Sequence, residues 1–437
     1  MLLNRSMYRL RLEGDLATES LVALRSHVIR RWRLIAFASL FVANPAVGVG
    51  EASVPPAPFK APYIPVSDEQ ILQGVPSTAD PAVLAMKTLR TALDTSPMDF
   101  EAAKSLANAY VDYSRQVGDA HYAGYAEAVI APWVAKQAPP AGALVTQAII
   151  LQYRHQFPEA RVLLQRALKI DGRNAQAWLT LATLDMVQGD YDAAAKDCAR
   201  VSNHAGVETG LGCFGSLRSY TGQARQSLVL LHQVEINTAH APPNYRAWIQ
   251  GLLAESEERL GDWPMAEGFY RSALQLQPED NFLLVAYADF LLDRLRPREV
   301  LPLLADHVQS DTAFLRLALA QAAIHGAETQ RYTWIMSARF EALRLRGSDY
   351  FGREESRFAL QLQHNPQTAL DMALRNWQAQ RAPWDARVVL EAALAAGKPQ
   401  AAVETLDFLD KTKLEDPILE PMMRSLRAQL AGTGASK

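Results

Sequence analysis

The stretch from Ala175 to Val201, AQAWLTLATLDMVQGDYDAAAKDCARV, constrains the fold more than any other part of the chain. Trp178, Leu181, Leu184 and Val187 recur every three residues, the spacing that lines one face of a helix. Gly189-Asp190 stops that helix, because glycine takes the left-handed conformation of a C-terminal cap without strain. Ala193, Ala194, Cys198 and Val201 then form a second apolar face, with alanines small enough for two helices to approach closely. One such hairpin cannot bury both faces alone, so it must stack on copies of itself.

The copies are present. Trp178, Leu181 and Ala182 sit at the W-x2-L-G spacing of a tetratricopeptide repeat, and Gly189, Tyr191 and Ala194 complete the pattern. The sequence resembles that family here and in further stretches. Phe100 to Val129 carries Ala103, Leu106, Ala107 and Tyr110. Ala141 to Gly172 carries Leu144, Ala148, Ala160 and Ala167. Glu208 to Val234 is degenerate but keeps Gly222, whereas Ala247 to Pro278 is clear, with Gly261, Trp263, Ala266, Tyr270 and Ala273. Asn281 to His307 is the last recognisable copy. After Asp311 the match fades while helix pairs continue, down to a last amphipathic helix near Leu419 to Leu430 with Arg424 and Arg427 outward.

The resemblance implies an all-α fold, an α-solenoid: a right-handed superhelix of antiparallel helix-turn-helix repeats. The expected organisation is an export segment over 1–50, a proline-rich lead-in over 51–80, tetratricopeptide repeats over 81–310, and degenerate repeats with a C-terminal cap over 311–437. Trp178, Leu181, Ala194, Tyr270 and Ala273 are expected to be buried at hairpin contacts.

The first 50 residues carry seven arginines against three acids, in a chain whose formal net charge is −3. Arg30-Arg31-Trp32-Arg33 precedes the apolar run LIAFASLFVA and then small residues, the layout of a secretory signal peptide. That run is too short to span a bilayer, which takes about 20 apolar residues. The other reading is a buried or disordered N-terminal helix. Five prolines between Ser53 and Pro65 read as an extended lead-in or linker. A periplasmic or secreted bacterial protein is therefore expected, with no stable membrane span once the signal is removed.

Apolar residues make up 49% of the chain and charged ones 21%, so the chain folds rather than staying disordered. Lysine and arginine (44) nearly balance aspartate and glutamate (47), which leaves no basic stripe for nucleic acid. No phosphate-binding glycine loop is present. The nine histidines form no H-x3-H or H-E-x-x-H spacing, so neither metal nor cofactor is expected. No nucleophile with a positioned base is evident, and the chain reads as a non-enzyme.

In the family, the first helices line a concave groove. Positions there that packing does not need are Asn108, Asp112, Tyr153, Thr183, Ser216, Tyr220, Glu255, Arg259, Asp289 and Asp293, the candidate contacts for a protein or peptide partner; a plain solvated face fits the same residues. Lys104 and Asn108 match part of the carboxylate clamp by which some relatives hold C-terminal peptides, but Ile149, Leu179 and Thr183 replace its later polar positions. Arg353, Glu354, Glu355 and Arg357 form a dense charge cluster on one helix, with the i,i+3 and i,i+4 spacings of ion pairs. The leading expectation is an interaction scaffold of the cell envelope. The rival is a helical accessory domain of an envelope enzyme or transporter, with its site in the C-terminal half, marked by a pocket of titratable groups at Arg353 and Arg357.

The only cysteines, Cys198 and Cys213, are nearly equidistant from the turn Ser202 to Gly206. On adjacent antiparallel helices they fall at the same height, with Cα atoms about 4.4–6.8 Å apart if bridged. Export to an oxidising compartment favours the disulfide; two buried thiols are the alternative.

Overall fold

The computed structural model describes residues 80–345 and 352–434. The expected export segment and all but the last residue of the proline-rich lead-in lie outside them. The described residues form twenty α-helices and one 3-10 helix, with no strand. In order they are α1 (Pro81–Thr95), α2 (Phe100–Val117), α3 (His121–Val134), α4 (Ala141–Tyr153), α5 (Phe157–Ile170), α6 (Ala175–Gln188) and α7 (Tyr191–Ala205). Then come α8 (Val207–Ser219), α9 (Ala224–Asn237), α10 (Pro243–Leu260), α11 (Trp263–Leu276), α12 (Asn281–Asp293), α13 (Pro297–Leu304) and α14 (Asp311–Ala323). The last are α15 (Thr329–Leu345), α16 (Gly352–Gln361), α17 (Pro366–Ala379), α18 (Pro383–Ala395), the 3-10 turn Pro399–Ala402, α19 (Val403–Thr412) and α20 (Leu419–Gly434).

Local chemistry sets the boundaries. Asp99, Asn174, Asp190, Asp262, Asp280 and Ser310 each cap a helix N-terminus by accepting a hydrogen bond from a first-turn backbone N–H. Gly189 ends α6 at φ 77°, as the sequence predicts. From α2 onward the helices pair, α2 with α3, α4 with α5, and so on to α18 with α19.

The two helices of a pair bury different amounts of surface. The second helix buries one stripe: in α7 only Ala194, Cys198 and Val201 are buried. The first helix is enclosed nearly all round: in α6 every residue from Leu179 to Val187 is buried. A helix apolar on all sides must have protein on all sides, and the path of the chain supplies it. The end of α2 meets the starts of α12 and α14, where a Cβ on Gly118 would lie 2.5 Å from Ser310 Oγ. The segment from Gln380 to Ile418 then packs across the concave interior. Its Arg381 N–H donates to Val187 O (2.7 Å), and Gln380 Nε2 donates to His155 Nδ1 (3.0 Å). Glu415 accepts from Ala224 N (3.0 Å), and Asp416 accepts from Arg259 (3.0 Å). Gly222 (φ 66°) presses so closely on Lys413 that a Cβ would sit 2.2 Å from its carbonyl oxygen.

Leu181, Ala194, Tyr270 and Ala273 are buried as expected. Trp178 is not: it stands at the first turn of α6, only partly covered, with its indole N–H donating to Gly172 O (3.0 Å). The cysteines form a disulfide between α7 and α8, with Cα atoms 5.5 Å apart. No described helix is long and apolar enough to cross a membrane.

Candidate functional site: two concave regions

The inner faces of the first helices form two sites of opposite character. The first is a groove of about 320 Å³ on α2, α4 and α6. Val145, Ile149 and Leu179 make an apolar floor. Lys104, Asn108, Thr146, Arg173, Gln176 and His204 supply polar groups, with Asp171 the one acid among its lining residues. Thr146 Oγ1 donates to Asn108 Oδ1 (3.1 Å), which leaves the amide nitrogen for a ligand. Lys104 lies over the Phe100 ring and pairs with the exposed Glu101 (2.5 Å). An exposed pair of this kind holds little energy and can be exchanged for a ligand.

The second is a smaller cavity of about 120 Å³ in the C-terminal half, enclosed by α10, α12, α14, α16, α18 and the loop before α20. Five arginines line it: Arg259, Arg316, Arg353, Arg357 and Arg387. Each is ion-paired. Arg316 joins Asp289 (2.7 Å) and Glu354; Arg357 joins Asp289 (2.8 Å); Arg353 joins Glu354 (3.0 Å). Arg387 joins Asp293 (2.7 Å) and Glu391 (2.6 Å), and Arg259 joins Asp416 (3.0 Å). Burial pushes the Asp289 carboxyl up, but the guanidinium groups of Arg316 and Arg357 outweigh it and hold the carboxyl well below its usual range. Two carboxyls have no such compensation. Burial raises Glu255 to about 7 against the opposing charge of Arg259. Burial raises Glu258 to about 8, although Tyr270 Oη donates to it (2.7 Å).

The ten candidate contacts divide between these regions. Asn108 stands in the groove. Asp112 reaches solvent, yet the surrounding protein desolvates its carboxyl and raises it to about 8, against the nearby charge of Arg115. Tyr153 is buried, with its hydroxyl toward Ser114 O (3.5 Å). Thr183 is buried and donates to Leu179 O on its own helix (3.0 Å). Ser216 is half-buried, and Tyr220 packs edge-on against Trp384, with ring centroids 6.0 Å apart. Glu255, Arg259, Asp289 and Asp293 converge on the C-terminal cavity. The expectation that all ten are free of packing is corrected for Tyr153, Thr183, Tyr220, Glu255 and Arg259, which are buried. For Tyr220, Glu255 and Arg259 the cause is long-range: Trp384 of α18 and Asp416 of the loop before α20 come to lie beside them, whereas Tyr153 packs toward α2 and Thr183 bonds within α6.

Sequence reasoning missed Arg316, Glu258, Arg387 and Asp416. Only Arg316 carried a local signal, a lone charge inside the apolar run FLRLAL of α14. It is 2% exposed, and a buried charge demands counter-charges from elsewhere in the chain.

A tetratricopeptide-repeat family model matches residues 152–206, from the end of α4 through the disulfide-bearing α7. The match and the helical hairpins together support that family and a repeat scaffold working through protein–protein contacts. Among solved structures, the chain is similar to yeast Tom70 (8% identity, TM-score 0.37, covering 81% of this chain and 86% of that one). It is similar to PilW, a widely conserved type IV pilus biogenesis factor (14%, 0.32, 66% and 100%). It is also similar to the Cut9–Hcn1 hetero-tetramer of APC/C (10%, 0.39, 79% and 52%), spanning about half of that chain. No curated protein matches the chain.

Proposed function

We propose that the protein is an exported, non-catalytic scaffold of the cell envelope that holds a short segment of a partner protein in the groove of α2, α4 and α6. The observation that carries this reading is the groove itself: an apolar floor with polar groups along its edges, on three rigid first helices. Ile149 and Leu179 replace two polar clamp positions, so the floor suits an apolar side chain of the partner. Lys104, Asn108 and Arg173 suit a carboxylate or carbonyl beside it. The arginine-led apolar segment before Ala43 and the disulfide support export.

Lys104→Glu combined with Asn108→Ala and Gln176→Ala tests the groove. A pull-down from an envelope fraction with wild type recovers a partner that the triple variant loses, while the melting temperature stays unchanged. Equal recovery by both proteins overturns the groove reading. N-terminal sequencing of periplasmic or secreted material tests export, with a start after about residue 50 expected.

The accessory-domain reading is favoured by one observation, the pocket of titratable groups at Arg353 and Arg357. Among its lining residues there is no serine, cysteine, lysine or histidine, and the proton carriers are the carboxyls of Glu255 and Glu258 and the Tyr270 hydroxyl. Its arginines are engaged with acids of the fold, and the cavity fits ligand binding better than catalysis.

A further inference from the structure

The C-terminal cavity is more than a closed ion network. Carboxyls outnumber guanidinium groups in and directly behind its wall, because Glu354, Asp385 and Glu391 back the five acids that line it. The pairs described above use up the arginines and leave three carboxyls over: Asp385, which accepts from Asn376 (2.9 Å) and the Ala382 N–H (3.0 Å), and Glu255 and Glu258. Glu255 is 4% exposed, lines the cavity, and has neither a hydrogen bond nor an ion pair among the described residues. Glu258, one turn along α10, has only the Tyr270 hydroxyl. A buried acceptor without a donor is destabilising unless something supplies one. The same lining includes the apolar and aromatic side chains of Phe282, Phe290, Trp384 and Ile418, and Phe290 packs on Tyr270, with ring centroids 5.8 Å apart. Carboxyls and aromatic rings lining one cavity can receive a cation on a short apolar stem.

We propose that this cavity is a binding site for a small organic cation, an alkylammonium or alkylguanidinium group, that pairs with Glu255 and Glu258 and lays its stem against Phe290 and Trp384. Because burial raises Glu255 to about 7 and Glu258 to about 8, both carry part of a proton near neutral pH and binding releases protons: the entering cation replaces a carboxyl proton, which leaves to solvent. The cavity lies on different helices from the partner groove and needs no partner.

The test is calorimetric titration of the full mature chain with n-butylamine, agmatine and a capped lysine peptide, run in two buffers of different ionisation enthalpy. Butyrate is the anion control. At least one cation is expected to bind wild type with proton release. Glu255→Gln is expected to weaken it at least about tenfold, the loss of one charge-assisted hydrogen bond. Lys104→Glu must leave cation binding unchanged, which separates this site from the groove. A free amine that binds better than the peptide points to a small molecule; the reverse points to a side chain of a partner. Glu255→Gln removes an unpaired buried carboxyl, so it should melt no lower than wild type; Glu258→Gln is the second variant if it does. Binding of butyrate in place of the cations overturns the proposal, as does no binding at all, which leaves a water-filled cavity only.

Discussion

The groove on α2, α4 and α6 and the cavity on α10 to α18 are built from the same repeat, and they differ in what the inward positions hold. In the N-terminal half those positions are Val145, Ile149 and Leu179 with scattered polar groups, and the space stays open. In the C-terminal half they are Asp289, Asp293, Arg316, Arg357 and Arg387, drawn together across four helices. Repeat geometry alone permits either outcome. Opposite charges on facing helices narrow the space to about 120 Å³ in the second case, whereas an apolar floor leaves about 320 Å³ in the first. The comparison separates what holds the superhelix together from what is available to bind.

Arg316 is the sharpest point at which to break this difference. It is 2% exposed and neutralises both Asp289 and Glu354. Arg316→Met leaves buried Glu354 with Arg353 alone and half-buried Asp289 with Arg357 alone, and removing one member of a buried ion pair typically costs about 3–5 kcal/mol. A large drop in the denaturation midpoint is expected, with hydrogen-exchange protection falling first in α12, α14 and α16. An unchanged midpoint shows that the network does not close the C-terminal half.

The disulfide lies between the two regions and comes next in size. Cys198 and Cys213 tie α7 to α8, where the repeat pattern is weakest. The enclosed loop is short, and the chain-entropy model gives about 3 kcal/mol. Cys198→Ala with Cys213→Ala should melt lower by a comparable amount, and reductant should lower wild type but not the variant. Two alkylatable thiols in unreduced protein from its native compartment rule the bridge out.

The fold was legible where interactions are local. Trp178 to Val187, the Gly189 cap and the small Ala194 mark a hairpin in one window of sequence, and the cysteine pair follows from distance to a single turn. The site was legible only in part. Asn108, Asp289 and Asp293 were found because they fall on first helices. That Glu255 and Arg259 would be buried was not legible, because the segment burying them is more than 100 residues away: Arg259 meets Asp416. Trp178 failed for a local reason, since the first turn of α6 is at the rim of the hairpin. Periodicity identifies the face a residue is on, not what a distant part of the chain lays over it.

The pH dependence of stability distinguishes the two regions at a smaller scale. Glu255 and Glu258 keep their protons in the folded protein at pH values where the unfolded chain has lost them. The folded state then binds more protons, so stability is full below the ordinary carboxyl range near 4.5 and falls as pH rises to about 7 and 8. Glu258→Gln removes its share of that decline. Relative to wild type it should gain on the order of 1 kcal/mol at pH 8 and little at pH 5, measured by urea unfolding at the two pH values. An equal effect at both shows that the carboxyl is not desolvated in the fold.

Lys104→Glu has the smallest expected effect on stability and tests the open side of the comparison. Lys104 is in the groove, bonded to the exposed Glu101 through a pair that spans one helical turn. Such pairs contribute about 0.3–0.5 kcal/mol, and among the described residues no other carboxylate pairs with Lys104. The substitution should therefore shift unfolding by no more than about 0.5 kcal/mol, against the several expected for Arg316→Met. Its effect on the partner should be far larger than its effect on the fold, because reversing the charge places a carboxylate where the ligand's own carboxylate or carbonyl is received. A change in partner binding without a change in melting marks the groove as a surface the fold leaves for something else. A matched loss of both instead makes Lys104 part of the packing, and the two halves of the superhelix are then closed by the same means.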